Sequence, residues 1–163
     1  MLRSISLFLL IIPFWVNGQV KSLASAMQAP LDVVHLKLKR DRLAEFPPEI
    51  LSLKNLEILD LSNNRLTKLP EEIVELENLQ KIILSKNDFT EFPLVLIEME
   101  KLVYIDLWDN YIEHLPMEVK RKNNLTFLDI RGVLLMPEVY EELSTWFSED
   151  ILKISPPCDC MYK

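Results

Sequence analysis

Shifted against itself by 23 residues, the chain falls into register from Val33 to Leu135 without a gap. Val33, Leu56, Leu79, Leu102 and Leu125 form one column, and Leu36, Leu59, Ile82, Ile105 and Leu128 form another three residues on. The pattern continues with Leu38, Leu61, Leu84, Leu107 and Ile130, then Leu43, Leu66, Phe89, Ile112 and Leu135, then Phe46, Leu69, Phe92 and Leu115. Between them Asn64, Asn87 and Asn110 share one register, and Pro47, Pro70, Pro93 and Pro116 share another. Five phased copies exceed what the amphipathicity of one helix or strand produces. A unit this short cannot bury its apolar side alone, so the copies must stack on one another.

Each column has a physical reading. In Leu59-Asp60-Leu61 the leucines alternate with an outward residue as in a strand, so stacked copies predict a parallel sheet. Asparagine stands where the chain leaves the strand and is expected to bond backbone groups of its own and the adjacent copy while making the turn. The prolines are pre-organised for a first helical turn, after which Ile50, Ile73, Leu96 and Val119, with Leu53, Leu76 and Met99, predict a short helical segment packed on the sheet.

The motif L-x-x-L-x-L-x-x-N-x-L-x-x-L-P resembles the leucine-rich repeat, in the 23-residue LPxxI class of intracellular scaffolds such as Ras suppressor protein and Scribble and of small members such as leucine-rich repeat-containing protein 20. The resemblance implies an α/β solenoid of about five repeats, with strands on the concave face, short helices or turns on the convex face, and protein binding without catalysis. It carries over no partner and no site residue.

Both ends of such a stack expose an apolar cross-section and need caps. Residues 19–32 are expected to cap the first repeat, and residues 33–136 to hold the five repeats. The fifth has Val133 at the asparagine position and Pro137 off register, so it reads as terminal. Val139, Leu143, Trp146 and Phe147 then recur at helical spacing, predicting a capping helix with Trp146 in the core, followed by a tail within residues 137–163. Lys122, in a column of Leu and Met, is expected to snorkel at the edge.

Residues 1–18 read as a signal peptide: Arg3 precedes an uncharged apolar run from Ile5 to Val16, with Val16 and Gly18 at cleavage-site spacing. The run is short against the roughly 20 residues of a membrane span, and Pro13 interrupts it. Secretion is therefore expected. A membrane-held scaffold with this segment uncleaved is the alternative, and the repeat class itself points to the cytoplasm.

Composition removes several function classes. The 163 residues include two glycines, Gly18 and Gly132, too few and too far apart for a phosphate-binding or dinucleotide loop. A net charge of -7 argues against nucleic acid as a partner. His35 and His114 have no carboxylate or serine at motif spacing, so no enzyme is expected. Cys158 and Cys160 are too few for a structural zinc site. No metal or cofactor is expected, and the chain is read as a monomer. Asn124-Leu125-Thr126 is an N-glycosylation sequon if the chain enters the secretory pathway.

The outward strand positions define the candidate binding face. Its N-terminal end is basic, with Lys37, Lys39 and Arg40 reinforced by Arg42 and Arg65. These either steer an acidic partner or form a solvated face balancing Glu71, Glu72, Glu75 and Glu77 on the convex side. Beyond Ile83, the C-terminal end carries Tyr104, Trp108, Tyr111 and Phe127 beside a row of Asp60, Asp106 and Asp129. Exposed aromatics beside charge resemble an interface hot spot. The alternative is that the C-terminal tail folds over them as an internal lid.

Overall fold

The outward-inward alternation of each repeat produces one three-residue strand per copy, and the middle side chain of each, Leu36, Leu59, Ile82, Ile105 and Leu128, is wholly buried. The computed structural model describes residues 19–133 and 137–155. Its strands are β1 (Gln19–Val20), β2 (His35–Lys37), β3 (Ile58–Asp60), β4 (Lys81–Ile83), β5 (Tyr104–Asp106), β6 (Phe127–Asp129) and β7 (Leu152–Lys153). Among the described residues they form one parallel sheet in sequence order, each strand pairing only with its sequence neighbours. The sheet thus gains a strand at each end beyond the five that the repeat predicts. Residues 1–18, 134–136 and 156–163, with the signal segment, Leu135, Cys158 and Cys160, lie outside the described residues, as do the side chains of Pro137 and Val139.

Asparagine bridges the repeats, and the bonds repeat at each copy. Asn87 Nδ2 donates to the Leu84 carbonyl of its own repeat at 2.9 Å and to the Leu61 carbonyl of the preceding one at 3.0 Å. Its Oδ1 accepts from the Leu66 N–H at 3.0 Å. Asn64 and Asn110 make the same three bonds one copy earlier and later.

The turning is done one residue earlier, which corrects the expectation that asparagine supplies it. Arg40, Asn63, Lys86 and Asp109 all adopt left-handed backbone, with φ between 58° and 67°, and Gly132 follows in the same column at 90°. The regular N–H bonds of this column, such as Lys86 to the Trp108 carbonyl at 2.8 Å, fix the turn against the next repeat. Ladder bonding therefore holds four side-chain-bearing residues in a conformation that costs roughly 1–2 kcal/mol each outside glycine, with Asn63 and Asp109 at the lower end.

The convex segments are single 3-10 turns, Pro48–Ser52, Glu71–Glu75, Leu94–Ile97 and Met117–Arg121, rather than α-helix. Pro47, Pro70, Pro93 and Pro116 stand just before them in extended backbone, and their carbonyls accept from the N–H of Ile50, Ile73, Leu96 and Val119. Those four side chains are buried against the sheet.

At the N-terminal end, residues 19–32 contribute β1, the one-turn α1 (Leu23–Ala26) and a 3-10 turn, Pro30–Asp32. At the other end, α2 (Pro137–Trp146) is followed by a return to the sheet as β7. Leu143 and Phe147 are buried, whereas Trp146 is half-buried under Lys120 Nζ at 5.7 Å, so it is not the core residue expected. Lys122 also departs from expectation. Its side chain is buried and its ammonium donates to the Met99 carbonyl instead of reaching solvent.

Candidate interaction face

Register turns the 23-residue period into rows across the concave face. One row runs His35, Ile58, Lys81, Tyr104, Phe127, and the next Lys37, Asp60, Ile83, Asp106, Asp129, Lys153. Side chains one repeat apart stand about 4.8 Å from each other along a row, close enough to stack. Tyr104 and Phe127 do so, with ring centroids 4.3 Å apart and planes 9° from parallel. Lys81 Nζ lies 3.7 Å from the centre of the Tyr104 ring. The result is a ladder of cation, phenol and phenyl along one row.

Trp108, two residues beyond Asp106 on the same face, remains 39% exposed. Lys86 Nζ lies 4.5 Å and the Arg131 guanidinium 5.8 Å from its ring centre. Tyr111 is 67% exposed but sits past Asn110, outside the strands, where its N–H bonds the Phe89 carbonyl. It borders the ladder's repeat and is not part of the ladder.

The acidic row is less open than expected. Asp60 and Asp129 are buried, each screened by a cation: Lys37 Nζ at 3.6 Å from Asp60, and Arg131 on both oxygens of Asp129, the shorter contact 2.6 Å. Each of the three aspartates also accepts a backbone N–H two residues on, from Ser62, Trp108 and Arg131, at 3.0 to 3.1 Å. Asp106 differs from the other two. It is half-buried, its second oxygen accepts from Ser85 Oγ at 3.1 Å, and no ion-pair partner for it is found among the described residues.

Electrostatics follow this arrangement. Burial pushes the Asp106 carboxyl above its ordinary value, against the hydrogen bonds from Trp108 and Ser85; Asp129 pushes the same way and Arg131 opposes it. Burial also raises the Tyr104 phenol, with Asp106 and Asp129 adding to it. At the basic end, burial lowers His35 despite Asp60 nearby. There Lys37 is tied to Asp60, while Lys39 is exposed and Arg40 serves the left-handed turn. The structure does not gather these three cations and the aromatics into one patch.

The C-terminal segment lies at the end of the sheet through residue 155, with Ser155 Oγ accepting from the Gly132 N–H at 3.1 Å. Up to that residue it stacks on β6 and does not cover the aromatics as a lid. Clefts of about 390, 330 and 450 Å³ open among the loops and 3-10 turns, lined by residues such as Phe92, Leu94, Val74 and Asn78. The ladder itself is a surface, suited to another macromolecular surface more than to a small molecule. Among the described residues no group of three potential metal ligands is found, and no helix is long and apolar enough to cross a membrane. In the sequon, Asn124 Nδ2 donates to the Glu100 carbonyl at 2.7 Å and Thr126 Oγ1 to the Val103 carbonyl at 3.1 Å.

Alternation puts Lys81, Ser85, Lys86 and Arg131 at outward positions of the same face but does not reveal that they pair with Tyr104, Asp106, Trp108 and Asp129. The 23-residue register held the signal, because it puts Lys81, Tyr104 and Phe127 in one row.

The stacked parallel strands and bridging asparagines define a repeat solenoid of known kind. A leucine-rich repeat family model matches residues 33–89. A leucine-rich repeat protein of Leptospira interrogans is similar at 30% identity and a TM-score of 0.58, over 84% of this chain and 40% of its own. The BIR2 ectodomain of Arabidopsis thaliana is similar at 25% identity and a TM-score of 0.58, over 78% of this chain and 70% of its own. In the BIR3–SERK2 complex of the same plant the values are 28%, 0.59, 77% and 70%. The chain thus spans well under half the length of the Leptospira protein. A search of curated protein sequences gives no match. Residues 33–89 are thus leucine-rich repeat sequence, and the described chain folds as a leucine-rich repeat solenoid.

Proposed function

We propose that this protein is a non-catalytic interaction module that docks a protein partner on the C-terminal half of its concave face. The observation that carries the reading is the Tyr104–Phe127 stack with exposed Trp108 beside it. Packed aromatics that stay accessible are the commonest interface anchors, each contributing about 2 kcal/mol or more when desolvated. Similarity to a repeat protein in complex with another protein supports a partner of the same kind. Tyr104, Trp108 and Phe127 are the anchors, with Asp106, Asp129 and Ile83 between them and Tyr111 at the border; Lys37, Lys39 and Arg40 flank the site at its basic end. The module acts as a monomer.

With this reading goes the division of the chain into an address in residues 1–18, a cap in 19–32, repeats in 33–136 and a closing helix with tail in 137–163. Secretion, supported by similarity to the BIR2 ectodomain, makes Asn124 a glycosylation site. Affinity capture from the native cell tests the docking face. Wild type and a Lys54→Ala variant, altered at the exposed Lys54–Glu75 pair, should recover the same partner, and Trp108→Ala should lose it. Recovery unchanged by Trp108→Ala contradicts the proposal. Sequencing the N-terminus of the cellular protein tests export: a start at Gln19 supports it, and retention of Leu2 to Val16 supports the membrane-held scaffold instead.

A further inference from the structure

The three concave aspartates share one row, yet their surroundings differ in a way that identifies what the patch lacks. Asp60 has Lys37 and Asp129 has Arg131, and at the border Asp109 has Lys86 at 3.8 Å. Asp106 stands between Ile83 and Asp129 along its row, with Tyr104 two residues before it in the strand and Trp108 two residues after it, past the strand end. An ionised carboxylate offers about four acceptor positions, of which the Trp108 N–H and Ser85 Oγ occupy two. The remaining positions belong to a half-buried anion ringed by two aromatics, an aliphatic side chain and a second aspartate.

Resting on the docking reading above, we propose that Asp106 receives an arginine side chain of the protein partner, the guanidinium closing on the carboxylate between Tyr104 and Trp108. Arginine fits this setting better than lysine. Its planar fork supplies two parallel N–H donors to one carboxylate, and its weakly hydrated faces lie against aromatic rings. Burial and Asp129 hold the Asp106 carboxyl above its ordinary value although Arg131 pulls against them, and a guanidinium closing on the carboxylate lowers it. Neighbouring cations are already engaged: Arg131 holds Asp129 through both oxygens, and Lys81 lies against Tyr104.

The test uses a random-sequence peptide library displayed on phage, selected against the whole protein and against Asp106→Asn, Asp60→Asn, Trp108→Ala and Tyr104→Ala variants. Asp106→Asn keeps an oxygen for the Trp108 N–H, and thermal melts confirm that it folds. Peptides selected by wild type should be enriched in arginine beside apolar residues. They should bind Asp106→Asn at least tenfold more weakly and Asp60→Asn unchanged, and an arginine-to-citrulline change in the peptide should cost as much as Asp106→Asn and nothing further when combined with it. Selected peptides that depend on Trp108 and Tyr104 but carry no basic preference, or whose arginine is indifferent to Asp106→Asn, overturn this inference and leave the docking face standing. Peptides indifferent to Trp108→Ala and Tyr104→Ala, or the absence of any binders, count against both.

Discussion

At the scale of single residues, the fold depends on polar side chains satisfying backbone groups that stacking removes from water. Asn87 satisfies one N–H and two carbonyls at once in the buried interior. Leaving a buried group without its partner costs about 1–3 kcal/mol. Asn87→Ala should therefore lower the unfolding free energy by about 3 kcal/mol, read by urea denaturation, and a loss under about 1 kcal/mol would contradict the bridging role. Lys122 is the reverse case, a cation in the column of Leu53, Leu76 and Met99. Burial holds its ammonium below the ordinary value of 10.5, outweighing Glu98 and Glu100. Between its folded and unfolded pKa the unfolded chain binds more protons, so its contribution to stability rises as pH climbs through the alkaline range just under 10.5. Lys122→Met should raise stability by about 1–3 kcal/mol at neutral pH and abolish that rise, measured by denaturation from pH 7 to 10.

At the scale of elements, the left-handed column shows what the sequence made legible and what it hid. The strands, the prolines and the bridging asparagines can be read directly, because each role selects one residue type and recurs every 23 residues. The turn could not be read, because Arg40 and Lys86 lack the left-handed tolerance of Asn63, Asp109 and Gly132 and break the pattern in that column. What they share is backbone geometry imposed by the neighbouring repeat, and ladder hydrogen bonds overrule local preference there. Scarcity of glycine means that strain is accepted in four turns and relieved in one. Lys86→Gly should accordingly leave stability unchanged or raise it by up to about 1 kcal/mol, and Gly132→Ala should lower it by about 1–2 kcal/mol. Thermal melts of the pair check the sign, and stabilisation by Gly132→Ala would refute the geometry. The burial of Asp60 and Asp129 was illegible for a related reason, since alternation tells which face a side chain takes and not which neighbour covers it.

At the scale of the whole molecule, each strand among the described residues pairs only with its sequence neighbours, so the stack is a row of small units whose stability passes from one interface to the next. The first repeat shows this at Leu43 and Phe46, half-buried where Leu66 and Leu69 one copy on are buried. The face that such a row presents is continuous, and identical spacing lets separate repeats build one ladder from Lys81, Tyr104 and Phe127. Trp108→Ala should cost under about 1 kcal/mol of stability, because the ring is substantially exposed and at the surface, while weakening partner binding about thirtyfold. The convex side offers a competing exposed apolar pair, Leu94 and Met117, 48% and 55% exposed on neighbouring repeats. Hydroxyl-radical footprinting of the protein with and without its captured partner separates the two faces. Docking on the concave face predicts that Tyr104, Trp108 and Phe127 lose reactivity while Leu94 and Met117 keep theirs; protection of Leu94 and Met117 with Trp108 unchanged would contradict it.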